Sequence, residues 1–118
     1  PVRARLMLAK NPAGWDELLD LVAESDAPVV VSINARVADG ADPSWLWDVP
    51  YERLTGRTVV ATGDRVRDLS VRLQYAGVAH RTEPDPVHAV ALAAAGTDRV
   101  VDVIGNYTAF HDLLGAPA

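Results

Sequence analysis

A chain of 118 residues fits a single domain, and a hydrophobic content of 49% is sufficient for one core. The net charge of −5 excludes a basic surface for nucleic acid or for an anionic membrane. The absence of cysteine excludes disulfides, thiolate zinc sites and a cysteine nucleophile, and no apolar run approaches the roughly 18 residues of a transmembrane segment.

The start of the chain predicts a strand, a helix and a second strand. Residues 2–9 alternate and then become apolar, which is typical of a strand that enters a buried sheet. Asn11 followed by Pro12 is a helix-start signal, and the apolar residues of 15–24 fall on one helical face. The apolar run 29–33 is typical of a central strand in a parallel sheet.

The middle of the chain predicts a loop, a short helical turn, a strand and a second full helix. The polar loop covers residues 34–42, and the helical turn covers 45–48. Residues 57–61 have the composition of a third strand. A helix follows over 64–76 with its apolar residues on one side, and Gly77 predicts a left-handed cap at its end.

The last third of the chain continues the alternation. Residues 78–82 predict a weaker fourth strand, 85–95 an alanine-rich helix, 99–104 a fifth strand and 108–114 a final helix. Alternating strands and helices with short connections predict right-handed crossovers and a parallel sheet covered on both faces. We therefore expect an α/β three-layer, Rossmann-like domain with a mostly parallel sheet of five to six strands.

In such a sheet, ligands meet the carboxyl ends of the strands. Lys10, the single lysine beside ten arginines, lies between a strand end and a capped helix start, where a lysine can contact phosphate. The alternative is an ordinary surface lysine. Asn11 beside it, and Asn34 at the start of the next loop, complete the candidate substrate- or nucleotide-binding residues.

Three carboxylates follow the second strand, namely Asp39, Asp42 and, after the helical turn, Asp48. Carboxylates this close in sequence can bind a metal or orient a base. The alternative is turn chemistry, since Asp39-Gly40 is a turn pair and Asp42 before Pro43 is a helix cap. The three histidines lie far apart without metal-ligand spacing, and we predict no metal site.

The remaining loops and aromatic residues carry weaker signals. Residues 62–65 can place an anion at a helix N-terminus, but they contain neither a glycine fingerprint nor a P-loop. Residues 106–108 are polar and can simply cap the last helix. Trp45, Trp47 and Tyr51 are more typical of core or interface packing than of a ligand platform.

These loops, taken in order, resemble one known family. Residues 8–14, Leu-Ala-Lys-Asn-Pro-Ala-Gly, resemble the stretch that opens the third domain of Mur ligases, in the form found in the MurT family. Residues 33–48 resemble the hallmark segment of that family, and their Trp-Leu-Trp-Asp ending distinguishes it from ordinary Mur ligases. Residues 62–65, 73–77 and 106–109 resemble later family stretches, so the likeness covers nearly the whole chain.

The resemblance implies that residues 1–118 are the C-terminal domain of one subunit of lipid II isoglutaminyl synthase, with the fold of the Mur ligase C-terminal domain. That subunit would use ATP and Mg²⁺ to phosphorylate the α-carboxyl of D-isoglutamate in lipid II, and the glutaminase GatD would supply ammonia. The N-terminal and ATP-binding central domains would lie outside this chain, so we expect the domain alone to be inactive and without cofactor. The enzyme would be cytoplasmic and act at the inner face of the membrane.

The resemblance also implies that an aspartate of this domain completes the Cys–His pair of GatD, where a carboxylate fixes the histidine tautomer. By position in the matching loop, Asp42 is favoured, then Asp39, then Asp48. The alternative is a module that docks the glutaminase and contributes no catalytic group. A stand-alone nucleotide-binding protein is disfavoured because the glycine fingerprint is missing.

Overall fold

A single sheet with helices on both faces organises the chain. The computed structural model describes residues 2–115, except for the side chain of Val37. Its strands are β1 Ala4–Leu8, β2 Val29–Ser32, β3 Val59–Thr62, β4 Arg81–Thr82 and β5 Val101–Gly105. Its α-helices are α1 Pro12–Val22, α2 Val66–Tyr75, α3 Pro86–Ala94 and α4 Tyr107–Leu114. Short 3-10 helices lie between β2 and β3, at Val37–Asp39, Pro43–Asp48 and Tyr51–Leu54.

The strands of the sheet are all parallel and follow the order β1-β5-β2-β3-β4. The last strand of the chain, β5, therefore lies between β1 and β2. The predicted α/β class and parallel sheet are confirmed, and the five strands of residues 2–115 fall within the predicted range. None of the helices in these residues is long and apolar enough to cross a bilayer.

The alternation of side chains along β2 separates two apolar layers. Val29 and Val31 face a cluster that contains buried residues of α1 and α2, whereas Val30 faces a cluster that contains buried residues of α3. Leu113 of α4 packs against this second cluster. Because α1 and α2 cover one face and α3 and α4 cover the other, the predicted three-layer architecture is confirmed.

The predicted helix boundaries rest on capping residues that the structure places as expected. The side-chain oxygens of Asn11, Asp42 and Asp85 each accept a backbone N–H of the following turn at 2.9 Å. Gly77 follows α2 with a φ of 73°, the left-handed conformation that was predicted. The capping residues are therefore the part of this fold that the sequence predicts most directly.

The third strand begins two residues later than predicted, at Val59. Arg57 instead turns its guanidinium toward the end of α1, where it donates to the carbonyls of Val22 at 2.7 Å and Ala27 at 2.6 Å. The Val22 carbonyl belongs to the last turn of α1, where cations and donors are favoured, and Ala27 lies two residues before β2. The backbone N–H of Arg57 donates to the carbonyl of Leu54 at 3.0 Å, so its backbone belongs to the turn before β3 and not to the strand.

The second helix also begins later than predicted, at Val66 and not at Asp64. The backbone N–H of Asp64 donates to the side-chain oxygen of Asn34 at 2.8 Å, so this residue belongs to the loop. The 3-10 helices Val37–Asp39 and Tyr51–Leu54 were not predicted, because three or four residues are too few to show a helical period.

Candidate functional site

Two buried asparagines join the loops at the carboxyl ends of β2 and β5. The backbone N–H of Asn34 donates to Oδ1 of Asn106 at 3.0 Å, and Nδ2 of Asn106 donates to the Asn34 carbonyl at 2.5 Å. The side chain of Asn34 accepts from the N–H of Asp64 and donates to Oγ1 of Thr108 at 3.1 Å. Asn34 is thus satisfied within the protein, and a ligand contact by this residue stays a prediction.

Asp39 caps α4 from a different loop. Its Oδ1 accepts the N–H of Thr108 at 2.8 Å, and its Oδ2 accepts from the Thr108 hydroxyl and from the N–H of Arg36. Asn106 precedes α4 but makes no capping bond, because its side chain is held by Asn34. A carboxylate at a helix N-terminus is favoured by hydrogen bonds and by the helix dipole. Both oxygens of Asp39 are therefore engaged.

Arg36 connects the acidic loop, residues 34–42, to two other elements. Its Nε lies 2.7 Å from Oδ2 of Asp64, and a terminal nitrogen lies 2.9 Å from Oδ2 of Asp112 on α4. The hydrogen bonds that Arg36 donates to Asp64 and then to Asp112 raise the pKa of Arg36 above its ordinary value. All three side chains are nearly half exposed, so these pairs fix the loop geometry more than they add stability. Sequence analysis missed Arg36, although it is the one basic residue of this loop.

Asp42 and Asp48 lie at opposite ends of the 3-10 helix Pro43–Asp48, and both are exposed. Oδ1 of Asp42 accepts the N–H of Ser44 at 2.9 Å, while its Oδ2 has no hydrogen-bond partner within residues 2–115. At about 2 Å of rise per residue, the Cα atoms of Asp42 and Asp48 are about 12 Å apart along the helix axis. Nowhere in the described part of the chain do three acidic or histidine side chains form a group that could hold a metal ion.

A cleft of about 370 Å³ opens at the carboxyl ends of β1 and β5, lined by Lys10, Ala38, Asp39, Trp45, Asn106 and Tyr107. Lys10 is exposed and forms no ion pair with a described residue, whereas Asp39 is already bonded to α4. Because α1 begins directly beyond Asn11, the positive end of its dipole lies near the ammonium group. The lining therefore suits a small anionic group.

Arg72 of α2 anchors the Trp-Leu-Trp-Asp segment. Arg72 is 5% exposed, and its guanidinium donates to the carbonyls of Leu46 at 3.0 Å and Val49 at 2.6 Å. It also pairs with Glu52 at 3.1 Å, and these hydrogen bonds lower the pKa of that carboxyl. Its central carbon lies 5.4 Å from the ring centre of Trp47. Sequence analysis missed Arg72, although an arginine on the apolar face of a predicted helix was an available signal.

Three aromatic residues, one on α1 and one on each of the 3-10 helices Pro43–Asp48 and Tyr51–Leu54, pack together in the core. The ring centre of Trp15 lies 6.0 Å from that of Trp45 and 5.6 Å from that of Tyr51. Trp15 and Tyr51 are fully buried, and burial raises the pKa of the Tyr51 hydroxyl well above its ordinary value. The expectation of core packing is thus confirmed for Tyr51 and, in part, for the half-buried Trp45.

Gly63 allows the loops after β2 and β3 to touch. Its φ is +101°, and a Cβ at this position would lie 2.5 Å from the carbonyl oxygen of Ile33. The approach brings the N–H of Arg65 within 2.9 Å of the same oxygen. A residue with a side chain would separate the two loops, so Gly63 fixes the distance between them.

The likeness of this chain to known proteins extends over nearly the whole fold. The family model described as "MurT ligase C-terminal" matches residues 8–110. The chain belongs to the MurT ligase C-terminal family. The matched range includes Arg36, Arg72 and all six candidate site residues, which are Lys10, Asn11, Asn34, Asp39, Asp42 and Asp48.

Two relatives show the extent of this MurT likeness. The chain is 38% identical over 80 residues to the lipid II isoglutaminyl synthase (glutamine-hydrolyzing) subunit MurT of Staphylococcus aureus strain COL, covering 64% of this chain and 18% of the relative. It is 30% identical over 122 residues to the subunit of the same name from Streptococcus pneumoniae strain ATCC BAA-255 / R6, covering 94% of this chain and 27% of the relative. The chain thus spans about a quarter or less of these MurT subunits.

Within this MurT domain, the candidate residues fall into two groups. Lys10 and Asp39 share the cleft, and Asn34 lies behind it as the partner of Asn106. Asn11 caps α1 beside Lys10. Asp42 and Asp48, by contrast, lie at the two ends of an exposed 3-10 helix. The fold therefore does not bring the three carboxylates into one cluster.

Proposed function

We propose that this domain is part of the MurT subunit of a lipid II isoglutaminyl synthase, where it helps to close the ligase site and contacts the glutaminase subunit GatD. The observation that carries the proposal is the family match over residues 8–110, which contains the cleft lysine and the acidic loop. The relatives are named as subunits of a glutamine-hydrolysing enzyme, which supports a glutaminase partner. The complex would act in the cytoplasm on lipid II at the inner face of the membrane.

In the proposed reaction, the γ-phosphoryl group of ATP is transferred to the α-carboxylate of D-isoglutamate, and ADP leaves. Ammonia released from glutamine then attacks the carbonyl carbon of the acyl phosphate. The C–O bond to phosphate breaks, inorganic phosphate leaves, and loss of a proton gives the carboxamide. Phosphorylation is required because hydroxide is a far poorer leaving group than phosphate.

The described residues could supply one contact with ATP, but they do not have the groups that a main binding site for ATP and Mg²⁺ requires. They contain no acidic or histidine cluster for a metal, and the sequence has no P-loop. We therefore assign most contacts with both groups to a central domain of the full-length subunit. Lys10, at the rim of the cleft, is the residue of this domain that suits a phosphate or carboxylate oxygen.

The assignment of the nucleotide to another domain makes a binding prediction. The 118-residue chain is expected to bind ATP with a dissociation constant of about 100 μM or weaker in the presence of Mg²⁺, because one lysine contact supplies little affinity. Isothermal titration calorimetry measures this directly. Low-micromolar binding by this chain would contradict the assignment.

Replacement of Lys10 tests its role in the ligase half of the reaction. In the full-length heterodimer, Lys10→Met is expected to lower the amidation rate about 10- to 100-fold, the loss of one charge-assisted hydrogen bond. The reduction should be the same with glutamine and with added ammonia, because the ligase site serves both routes. Lys10→Arg keeps the charge and should retain more activity. Unchanged rates for Lys10→Met with both nitrogen sources would make Lys10 an ordinary surface lysine.

Asp42 is the aspartate that best suits a contact with the glutaminase histidine. Its carboxylate is exposed, its Oδ1 is held by Ser44, and its Oδ2 has no protein partner in the described residues. Asp39 has both oxygens engaged with α4 and the loop backbone. Asp48 is exposed but is not held by a capping bond. A carboxylate that is oriented yet free on one side can fix a histidine tautomer across an interface.

The alternative is that the domain only docks the glutaminase. The capping bond of Asp42 supports this alternative, because it gives the carboxylate a structural role within the chain. A docking surface tolerates the exchange of a carboxylate for a carboxamide, whereas a carboxylate that orients a histidine does not. The two functions therefore differ in the response of glutamine hydrolysis to Asp42→Asn.

A further inference from the structure

A serine and a histidine form a hydrogen-bonded pair at the β4 edge of the sheet. Oγ of Ser70 lies 2.7 Å from Nε2 of His80, and Nδ1 of His80 lies 2.8 Å from the carbonyl oxygen of Val78. Ser70 is in the middle of α2, and His80 directly precedes β4. Both residues are half-buried, so the pair is held by the fold and stays partly accessible to solvent. It shares no residue with the cleft.

The two hydrogen bonds of His80 fix the direction in which protons are donated. A carbonyl oxygen can only accept, so in the neutral imidazole Nδ1 carries the proton and Nε2 is the acceptor. The hydroxyl of Ser70 therefore donates to Nε2. The carbonyl of Val78 holds the histidine in this tautomer, as a carboxylate does in a serine-protease triad. The pair thus has the arrangement of a nucleophile beside its general base.

The hydroxyl of Ser70 is directed away from its own helix. A serine inside a helix can return its hydroxyl to the carbonyl four residues earlier, which here belongs to Val66. Within residues 2–115, however, the hydrogen bond of this hydroxyl is the one with His80. The fold therefore aims the oxygen of Ser70 at a base and not at the backbone of α2.

A recess of about 370 Å³ opens beside this oxygen. The α2 recess is lined by Val66, Arg67, Ser70, Val71, Thr82 and Pro84. Its two valines and its proline form an apolar wall that suits a small acyl group. Arg67 precedes Ser70 by three positions, so both side chains lie on one face of α2. Arg67 is exposed and forms no ion pair with a described residue, which leaves its charge available to a developing oxyanion.

We propose that Ser70 and His80 form a reactive site, separate from the cleft, that accepts an acyl group from an activated carboxylic ester bound in the α2 recess. Oγ of Ser70 attacks the carbonyl carbon, and its proton passes to Nε2 of His80. The C–O bond to the leaving group breaks, and the leaving group takes up this proton. Water that is deprotonated by the same nitrogen then cleaves the acyl–serine bond and releases the carboxylic acid.

The test uses the full-length subunit that contains this domain, with p-nitrophenyl acetate as the acyl donor. Ser70 is expected to become acetylated, as measured by tandem mass spectrometry of its peptides, and p-nitrophenol is released. His80→Gln should slow this acetylation about 100-fold or more, because glutamine forms hydrogen bonds but does not take up a proton. Ser70→Ala removes the oxygen that carries the acetyl group.

His88→Gln is the matched control. His88 is an exposed histidine on α3, and its charged neighbour among the described residues is Asp85, not a serine. An imidazole can itself attack an activated ester, so this variant reports the reactivity of a histidine outside the pair. It should leave the rate of Ser70 acetylation unchanged. Thermal unfolding of each variant shows whether the fold persists.

Acetylation of Ser70 that is slowed by His80→Gln and not by His88→Gln, at unchanged unfolding temperatures, supports the proposal. If Ser70 is not acetylated, or is acetylated equally fast in His80→Gln, the pair only links α2 to β4 and the proposal fails. If His80→Gln unfolds, Arg67→Gln decides, because an exposed side chain can be exchanged without loss of the fold. It should slow acetylation about 10-fold, less than the loss of a buried oxyanion donor. An unchanged rate in Arg67→Gln then overturns the proposal.

Discussion

Asp42→Asn is expected to reduce glutamine-dependent amidation by the heterodimer by up to about 10⁴-fold, the cost of a comparable exchange in a serine-protease triad. Asparagine caps a helix about as well as aspartate, so the bond from the Ser44 N–H and the fold should persist. The exchange removes only the negative charge that would orient the histidine of the partner. Steady-state amidation of lipid II with glutamine measures the effect.

The controls for Asp42→Asn use the nitrogen source and the neighbouring carboxylates. Amidation with added ammonia should survive, because that route does not require glutamine hydrolysis. Asp48→Asn should be nearly silent, and Asp39→Asn should act mainly on stability, since Asp39 caps α4 through Thr108. If Asp42→Asn keeps normal glutamine-dependent activity and one of these two variants does not, the catalytic assignment moves to that residue. If all three variants remain active, the domain is a docking surface.

Gly63→Ala is expected to lower the free energy of unfolding by about 3 kcal/mol, the combined cost of a strained φ and of a steric clash. The added Cβ would lie 2.5 Å from the carbonyl oxygen of Ile33 and 2.7 Å from its nitrogen. Neither backbone atom can move without displacing β2. The midpoint of thermal unfolding should fall by about 10 to 15 °C, as measured by circular dichroism.

Gly56→Ala is the matched control for the steric part of this effect. Gly56 has a similar φ of +85°, but nothing lies within 4 Å of the Cβ position. Its replacement should cost only the backbone strain, about 1 kcal/mol. Equal destabilisation by the two substitutions would show that the contact with Ile33 is not the cause.

The fold was predictable from the sequence wherever the determining interactions are local. Capping residues such as Asn11 and Asp85 accept hydrogen bonds from N–H groups two or three positions away, so the neighbouring residues are enough to predict the cap. The valines of β2 mark a buried strand by composition alone. The order of elements, and with it the parallel three-layer class, followed from these local features.

The sequence predicted which loops form the candidate site, but it did not predict the hydrogen bonds and ion pairs between those loops. Asp39 reads as a turn residue in sequence, yet its main partner is Thr108, 69 positions away. Arg36 and Arg72 are each unusual for their position in the sequence, but their partners lie on other elements, so the sequence does not show which groups they contact. The family resemblance points to the acidic loop, but the sequence of that loop does not show that both oxygens of Asp39 are engaged, because two of the three donors belong to Thr108.

The position of β5 between β1 and β2 affects how the chain folds during its synthesis. Its residues Val101–Gly105 hydrogen-bond to β1 on one side and to β2 on the other. While a ribosome is still translating this segment, the first strand has no neighbour and the second has an unsatisfied edge. Exposed edges of apolar strands recruit other chains. A nascent or truncated chain that ends before Val101 should therefore depend on chaperones and aggregate, however well its earlier helices form.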